Sequence, residues 1–216
     1  MMESATDQAM SCREPAALQA AALEAFDRAN AADPNCETVD GVARPKELLY
    51  GRRMSDWLER LYPEATPALR LAVRCQHIER WQVPRKTYPE GRVGYLTWRR
   101  DLKALHAKRA GEILEGLGFD GATIQRVCGL VNKENLRQDP DAQALEDVAC
   151  LVFLAHYFAD FAAGHDDDKV VEILRKTWRK MSETGREAAL ALPLGPTEAR
   201  LVAQALGHDL TPVNST

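Results

Sequence analysis

ALEDVACLVFLAHYFADFAAG, residues Ala144 to Gly164, decides the fold of this 216-residue chain. Apolar residues fall on almost every side of a helical projection and no period-two alternation is present, so the stretch reads as a helix buried all round. Asp139-Pro140 supplies its start and Gly164 its end. A helix of this kind needs other helices to cover it, which makes it the centre of an all-α domain. The longest apolar run, Val148 to Ala155, falls well short of the ~18 residues of a membrane span.

The same 3.6-residue period recurs outward from that centre. The spacing predicts helices over 15–32, 45–61 and 67–81, then over 96–117 and 120–133 before the central one, and over 167–181 and 197–206 after it. Pro15, Pro67 and Pro140 stand at helix starts and Gly118 at an end. Cys36 to Pro45 reads as a loop with an Asp40-Gly41 turn, and QVPRKTYPEGRVGY, 82–95, as a long loop of the kind that borders sites. The expected architecture is a single bundle of about seven to eight helices over 15–207. Disordered tails are expected at 1–14 and 208–216, and the absence of a signal-peptide pattern favours the cytoplasm. Cysteines 12, 36, 75, 128 and 150 form no CxxC pair and read as reduced thiols.

Three polar residues stand on faces that should be buried. Asp147 has Ala144, Cys150, Leu151 and Leu154 as its helical neighbours, so its carboxylate must meet a metal, a Lys or Arg, or several hydrogen-bond donors. His77 lies in line with Leu69 and Val73, and His106 with Leu102, Ala110 and Ile113. Two inward histidines and a carboxylate suit metal binding or acid–base chemistry, and equally a satisfied polar core. His156 and Asp160, four apart, can pair or simply pack.

Charge is segregated. The chain carries 28 Lys+Arg against 32 Asp+Glu, a net −4. Residues 70–109 alone hold eleven cations against Glu79, Glu90 and Asp101, about +8. That field attracts anions, most simply phosphate or a nucleotide. RNA is a further partner, because Trp81, Tyr88, Tyr95 and Trp98 interleave with the cations. A solvated face paired with acids elsewhere accounts for the same charges.

Long strings carry a family resemblance from about Ala25 to Leu192: RPKELLYGRRMSDWLERLYP (44–63), RCQHIERWQVPRKTYPEGRVGYLTWRRDLKALHA (74–107), QALEDVACLVFLAHYFADFAAGHDDDK (143–169) and RKTWRKMS (175–182). They resemble the bacterial, fungal and plant family catalogued as domain of unknown function 4202, which implies no particular reaction. More distantly, the order of polar residues is similar to the HD phosphohydrolases. His77 matches the His of the His-Asp pair, His106 the His opening the following helix, and Asp147 the closing Asp. Tyr50 stands where the first His belongs, Ile78 where the Asp of the pair belongs, and Asn132-Lys133 where another His often falls.

The HD resemblance implies an HD-like bundle. It implies one divalent metal on His77, His106 and Asp147, or the same three as acid and base, with Arg74, Arg99 and Arg109 gripping phosphate. Arg53 and Lys133 would supply positive charge where metal is lost. Three functions stay open: a phosphohydrolase, an inactive relative that binds the anion, and a protein- or RNA-interaction domain in which the inward polar residues are structural.

Overall fold

Pro15 opens α1 (Pro15–Asn30), and Asp33 follows its end. A short antiparallel hairpin then pairs β1 (Cys36–Val39) with β2 (Val42–Pro45) in the register Cys36 to Pro45. The helices α2 (Lys46–Leu61), α3 (Pro67–Cys75), α4 (Gly91–Leu117) and α5 (Gly121–Asn132) come next. They are followed by α6 (Pro140–His156), α7 (Phe158–Ala163), α8 (Asp167–Lys180), α9 (Glu183–Leu190) and α10 (Pro196–Leu206). Two 3-10 turns, Arg80–Gln82 and Arg85–Thr87, lie between α3 and α4. This computed structural model describes residues 15–134 and 138–207. The tails expected at 1–14 and 208–216 lie outside the described residues.

The chain is predominantly helical, as its periodicity implies, but the described residues hold ten α-helices rather than seven to eight. Two departures make up the difference. The central helix breaks at Tyr157, whose φ of −127° leaves helical space, so one expected helix becomes α6 and α7. The second is α9, whose sequence ETGREAAL has a glycine in its middle and a weak apolar stripe.

Other boundaries move for identifiable reasons. The 36–45 loop is a hairpin, because Asp40 and Gly41 at φ 52° and 77° form the two-residue turn that matches strand twist. Helix α3 stops at Cys75 instead of reaching Trp81: Glu79 adopts a left-handed φ of 52°, and its N–H is taken by the Asn30 side chain at 2.9 Å. Helix α4 starts five residues earlier than the sequence suggests, at Gly91.

Local caps close several of these helices. Asp139 accepts from the N–H groups of Asp141 and Ala142, Asp166 from Lys169, and Ser182 from Gly185. Gly118, at φ 88°, closes α4 with its N–H on the Glu115 carbonyl, and Phe119 returns to Leu114.

Two compact units emerge from the packing: residues up to Gly51 with Pro67–Asn132, and Arg52–Thr66 with the residues from Lys133 onward. Helix α2 begins in the first and ends in the second. In the first unit α1 packs on α3 and α4, and α5 covers both of the latter. Its interior holds Phe26, Leu69, Leu71, Ile78, Leu114 and Leu130 at 2% exposure or less. In the second unit α6 meets α7, α8 and α9, around Leu151, Leu154, Phe158, Val170 and Leu174. No helix among the described residues is long and apolar enough to cross a membrane.

Candidate functional site

The first unit gathers its polar side chains where α1 ends, α2 begins and the chain turns after α3. Asn30, in the last turn of α1, is 2% exposed. Its amide nitrogen donates to the Glu47 carbonyl at 3.4 Å, and its amide oxygen accepts from the Glu79 N–H at 2.9 Å. Asp33 accepts from the Asn35 N–H and side-chain amide at 2.9 and 2.8 Å, and from the Glu47 N–H at 3.0 Å. A carboxylate on a first-turn N–H satisfies an orphan donor and complements the helix dipole. The buried bonds from the Glu47 and Glu79 N–H groups each leave a backbone donor unmet if removed, a loss of about 1–3 kcal/mol.

Those anchors fix Glu47 in the first turn of α2 and Tyr50 three residues later on the same face. The Tyr50 ring stacks on His77 with centroids 4.2 Å apart and planes 13° from parallel. Its hydroxyl donates to Gln76 Oε1 at 3.2 Å. His77 sits on the turn after α3, half-buried, so its place is set by that turn and not by helical phase with Leu69 and Val73.

The hydrogen bonds assign both imidazole tautomers. Arg80 Nη1 lies 3.2 Å from His77 Nε2. A guanidinium only donates, so Nε2 carries the lone pair and Nδ1 the proton. That Nδ1 is 3.6 Å from Glu47 Oε2, and Arg80 Nε is 3.9 Å from Glu47 Oε1. The Arg80 guanidinium also lies over the Trp98 ring, 4.9 Å from its centroid. His106, in the middle of α4 and 3% exposed, places Nδ1 2.7 Å from the Ile78 carbonyl oxygen. The carbonyl only accepts, so Nδ1 bears the proton. Nε2 then carries a lone pair, buried and with no partner among the described residues. The His77 and His106 ring centroids are 5.8 Å apart.

Burial pushes the Glu47 carboxyl up to about 7; Arg80 draws it back and Asp33 raises it further. Burial pushes His106 down to about 3, and the neighbouring His77 works in the same direction. At neutral pH His106 is therefore an uncharged acceptor, and Glu47 is poised to take or give a proton. Strongly displaced acids and bases at one place mark sites of proton transfer.

The sequence brought Tyr50, His77 and His106 into view, and the structure gathers them. Asp147 belongs to the second unit. It is fully buried and satisfied by donors: Ser182 N at 2.8 Å, Gln143 Nε2 at 3.1 Å, Tyr62 Oη at 2.7 Å and Ser182 Oγ at 2.5 Å. Burial, reinforced by the bond to Asp147, pushes the Tyr62 hydroxyl up to about 12. Lys133 pairs with buried Glu146, and Arg53 donates to Tyr157 Oη at 3.0 Å, both also in the second unit.

In the first unit Arg74 grips Asp27 with two bonds, at 2.7 and 3.0 Å. Arg109 takes both Glu79 oxygens, at 2.6 and 3.2 Å, and reaches Glu112. Arg99 donates to Tyr95 Oη at 3.1 Å, and Arg85 to the Tyr88 carbonyl at 3.0 Å, so neither of these bonds neutralises its cation. Trp98 is buried, its indole N–H on the Val83 carbonyl at 2.8 Å, so its ring is a packing element with one face under Arg80. His156 and Asp160 are both exposed, on either side of the break at Tyr157.

Glu47 and Arg80 were missed as site residues. Glu47 carried a signal: it lies three residues before Tyr50 on the face that continues to Met54, an acid on an apolar stripe, which is the argument that singled out Asp147. No group of three His, Cys, Asp or Glu side chains among the described residues is arranged to hold a metal. Arg80 also sets a cation against His77 Nε2, a nitrogen a metal would use. The donors in this arrangement do not fit a divalent-metal centre.

In the second unit an apolar recess lined by Leu154, Leu174, Trp178, Val202 and Leu206 offers little beyond the Thr177 hydroxyl to orient or attack a ligand. Comparison with known proteins bears on the whole chain. The model of the family described as domain of unknown function (DUF4202) matches residues 20–202. No curated protein and no solved structure matches.

Proposed function

The chain belongs to that family, and from this premise we propose that its first unit binds a small phosphorylated molecule beside Arg80 and His77 and exchanges protons with it through Glu47. One observation carries the reading. A buried carboxyl, pushed up to about 7, stands 3.6 Å from an imidazole whose far nitrogen is held by an arginine. A carboxyl beside a fixed histidine tautomer is an arrangement for moving a proton, and a proton-transfer group works best with its pKa near the working pH.

Charge supports an anionic ligand. The 70–109 segment of about +8 lies wholly in this unit. Arg74 and Arg109 are occupied by carboxylates, whereas the charges of Arg85 and Arg99 are not cancelled by the bonds described above. The chemistry is proton transfer without metal, which separates it from metal-dependent phosphohydrolysis on His77, His106 and Asp147. Fully satisfied by four donors, Asp147 takes the role of an anchor for α9.

Thermal unfolding with inorganic phosphate and a panel of nucleoside and sugar phosphates, in EDTA, tests the proposal. A true ligand at a hundredfold excess over Kd raises Tm by roughly 5–10 °C for a chain of this size. Arg80→Gln abolishes the shift, and Glu47→Gln keeps it while removing the proton uptake or release that accompanies binding. Indifference of the wild-type protein to every phosphorylated compound would remove the reading.

A further inference from the structure

We infer that the molecule taken by this site presents a hydrogen-bond donor, a hydroxyl on its carbon skeleton, to Nε2 of His106. The inference rests on the anion-binding reading above and adds the second half of the ligand. It starts from a deficit: a buried acceptor with no donor costs about 1–3 kcal/mol, and few such groups persist in a folded protein without a reason. Nδ1 is fixed on the Ile78 carbonyl at 2.7 Å, so the ring cannot turn the lone pair away without losing that bond.

The donors nearby are engaged elsewhere. Arg80 is directed at His77 and Glu47, and Arg109 at Glu79 and Glu112. Burial keeps His106 uncharged at neutral pH, so Nε2 stays an acceptor and repels a bare phosphate oxygen. A ligand that meets both groups therefore combines an anion for Arg80 with a donor for His106. The His77 and His106 rings, 5.8 Å apart, separate the two subsites. Polyhydroxylated phosphates, such as sugar phosphates and ribonucleotides, have this pairing. Inorganic phosphate and 2′,3′-dideoxynucleotides lack the carbon-borne hydroxyl.

Calorimetric titration of the full chain with ribose 5-phosphate, AMP, 2′,3′-dideoxy-AMP and inorganic phosphate tests this. The hydroxylated probes should bind at least tenfold more tightly than the other two, and ribose 5-phosphate should move the Nε2 resonance of His106 in nitrogen NMR. His106→Phe keeps the ring volume and should erase the preference while retaining phosphate binding; His106→Gln, which can still accept, should keep part of it. If AMP and its dideoxy counterpart bind equally, the inference falls, water meets the lone pair, and the anion-binding reading survives. If none of the four binds, the anion-binding reading falls and takes the inference with it.

Discussion

Glu47 and His106 are displaced in opposite senses, and their effects on stability oppose each other. Glu47 rises from 4.5 to about 7, so the folded protein keeps a proton that the unfolded chain releases. Its contribution is fully present below the unfolded value and is lost as pH rises through the folded one. His106 falls from 6.5 to about 3, so the folded protein refuses a proton that the unfolded chain binds. Its contribution is fully present above the unfolded value and is lost as pH falls toward the folded one. Each slope reaches at most about 1.4 kcal/mol per pH unit. Between pH 4.5 and 6.5 the two cancel. Wild-type stability across that window is therefore flat with respect to this pair. Glu47→Gln should make it rise with pH, and His106→Gln should make it fall. Urea unfolding at several pH values checks both, and parallel profiles for the two variants would contradict the assignment. At this scale the local period placed His106 and Asp147 inward, whereas His77 owes its half-buried place to the turn after α3. The period did not reveal what each would meet: the Arg80 beside His77 and the Ile78 carbonyl against His106 come from the turn after α3, whose path a side chain of α1 sets.

Several helix starts were legible from local residues. Pro15, Pro67 and Asp139-Pro140 mark three of them, and Gly118 marks an end. The break at Tyr157 and the presence of α9 were not legible, because long-range contacts decide them. Ser182 caps α9 through Gly185 N at 3.1 Å, and it is held there by Asp147 from α6. A Cβ at Gly185 would fall 2.7 Å from the Asp147 carboxyl carbon. The glycine that weakens the helical signal of ETGREAAL is thus what lets α9 approach α6. Gly185→Ala should lower stability by about 1–3 kcal/mol, although alanine is the better helix former by about 1 kcal/mol. Thermal unfolding measures it, and a stabilised variant would show that the close approach relaxes easily. Gly51 has the same role in the first unit, where a Cβ would meet the Arg74 carbonyl oxygen at 2.8 Å.

Across the whole chain, helical character and the basic segment were both readable from sequence, because composition and period are properties of the string. The division into two units was not, because neither unit is continuous: Arg52–Thr66 interrupts the first and belongs to the second. The three residues that motivated a single cluster fall accordingly, His77 and His106 with the first unit and Asp147 with the second. A fragment spanning 67–132 has α3, α4 and α5 but neither Asn30 nor Glu47. Expressed alone, it should show no near-ultraviolet circular dichroism from a fixed Trp98 and no cooperative melting. Its His106 should titrate near 6.5, its ordinary value. A sharp transition would show that α1 and α2 are dispensable. Interrupted connectivity has a further consequence while the chain is being made. Trp57 and Leu61 pack against the cluster built by α6 to α10, none of which has yet been translated when α2 leaves the ribosome. At roughly 5–20 residues per second the wait from Leu61 until the last member of that cluster, Leu201, has been added lasts about 7–28 s. For that time an indole and a leucine stand without their partners, and the nascent chain is a client for any holdase waiting at the exit tunnel.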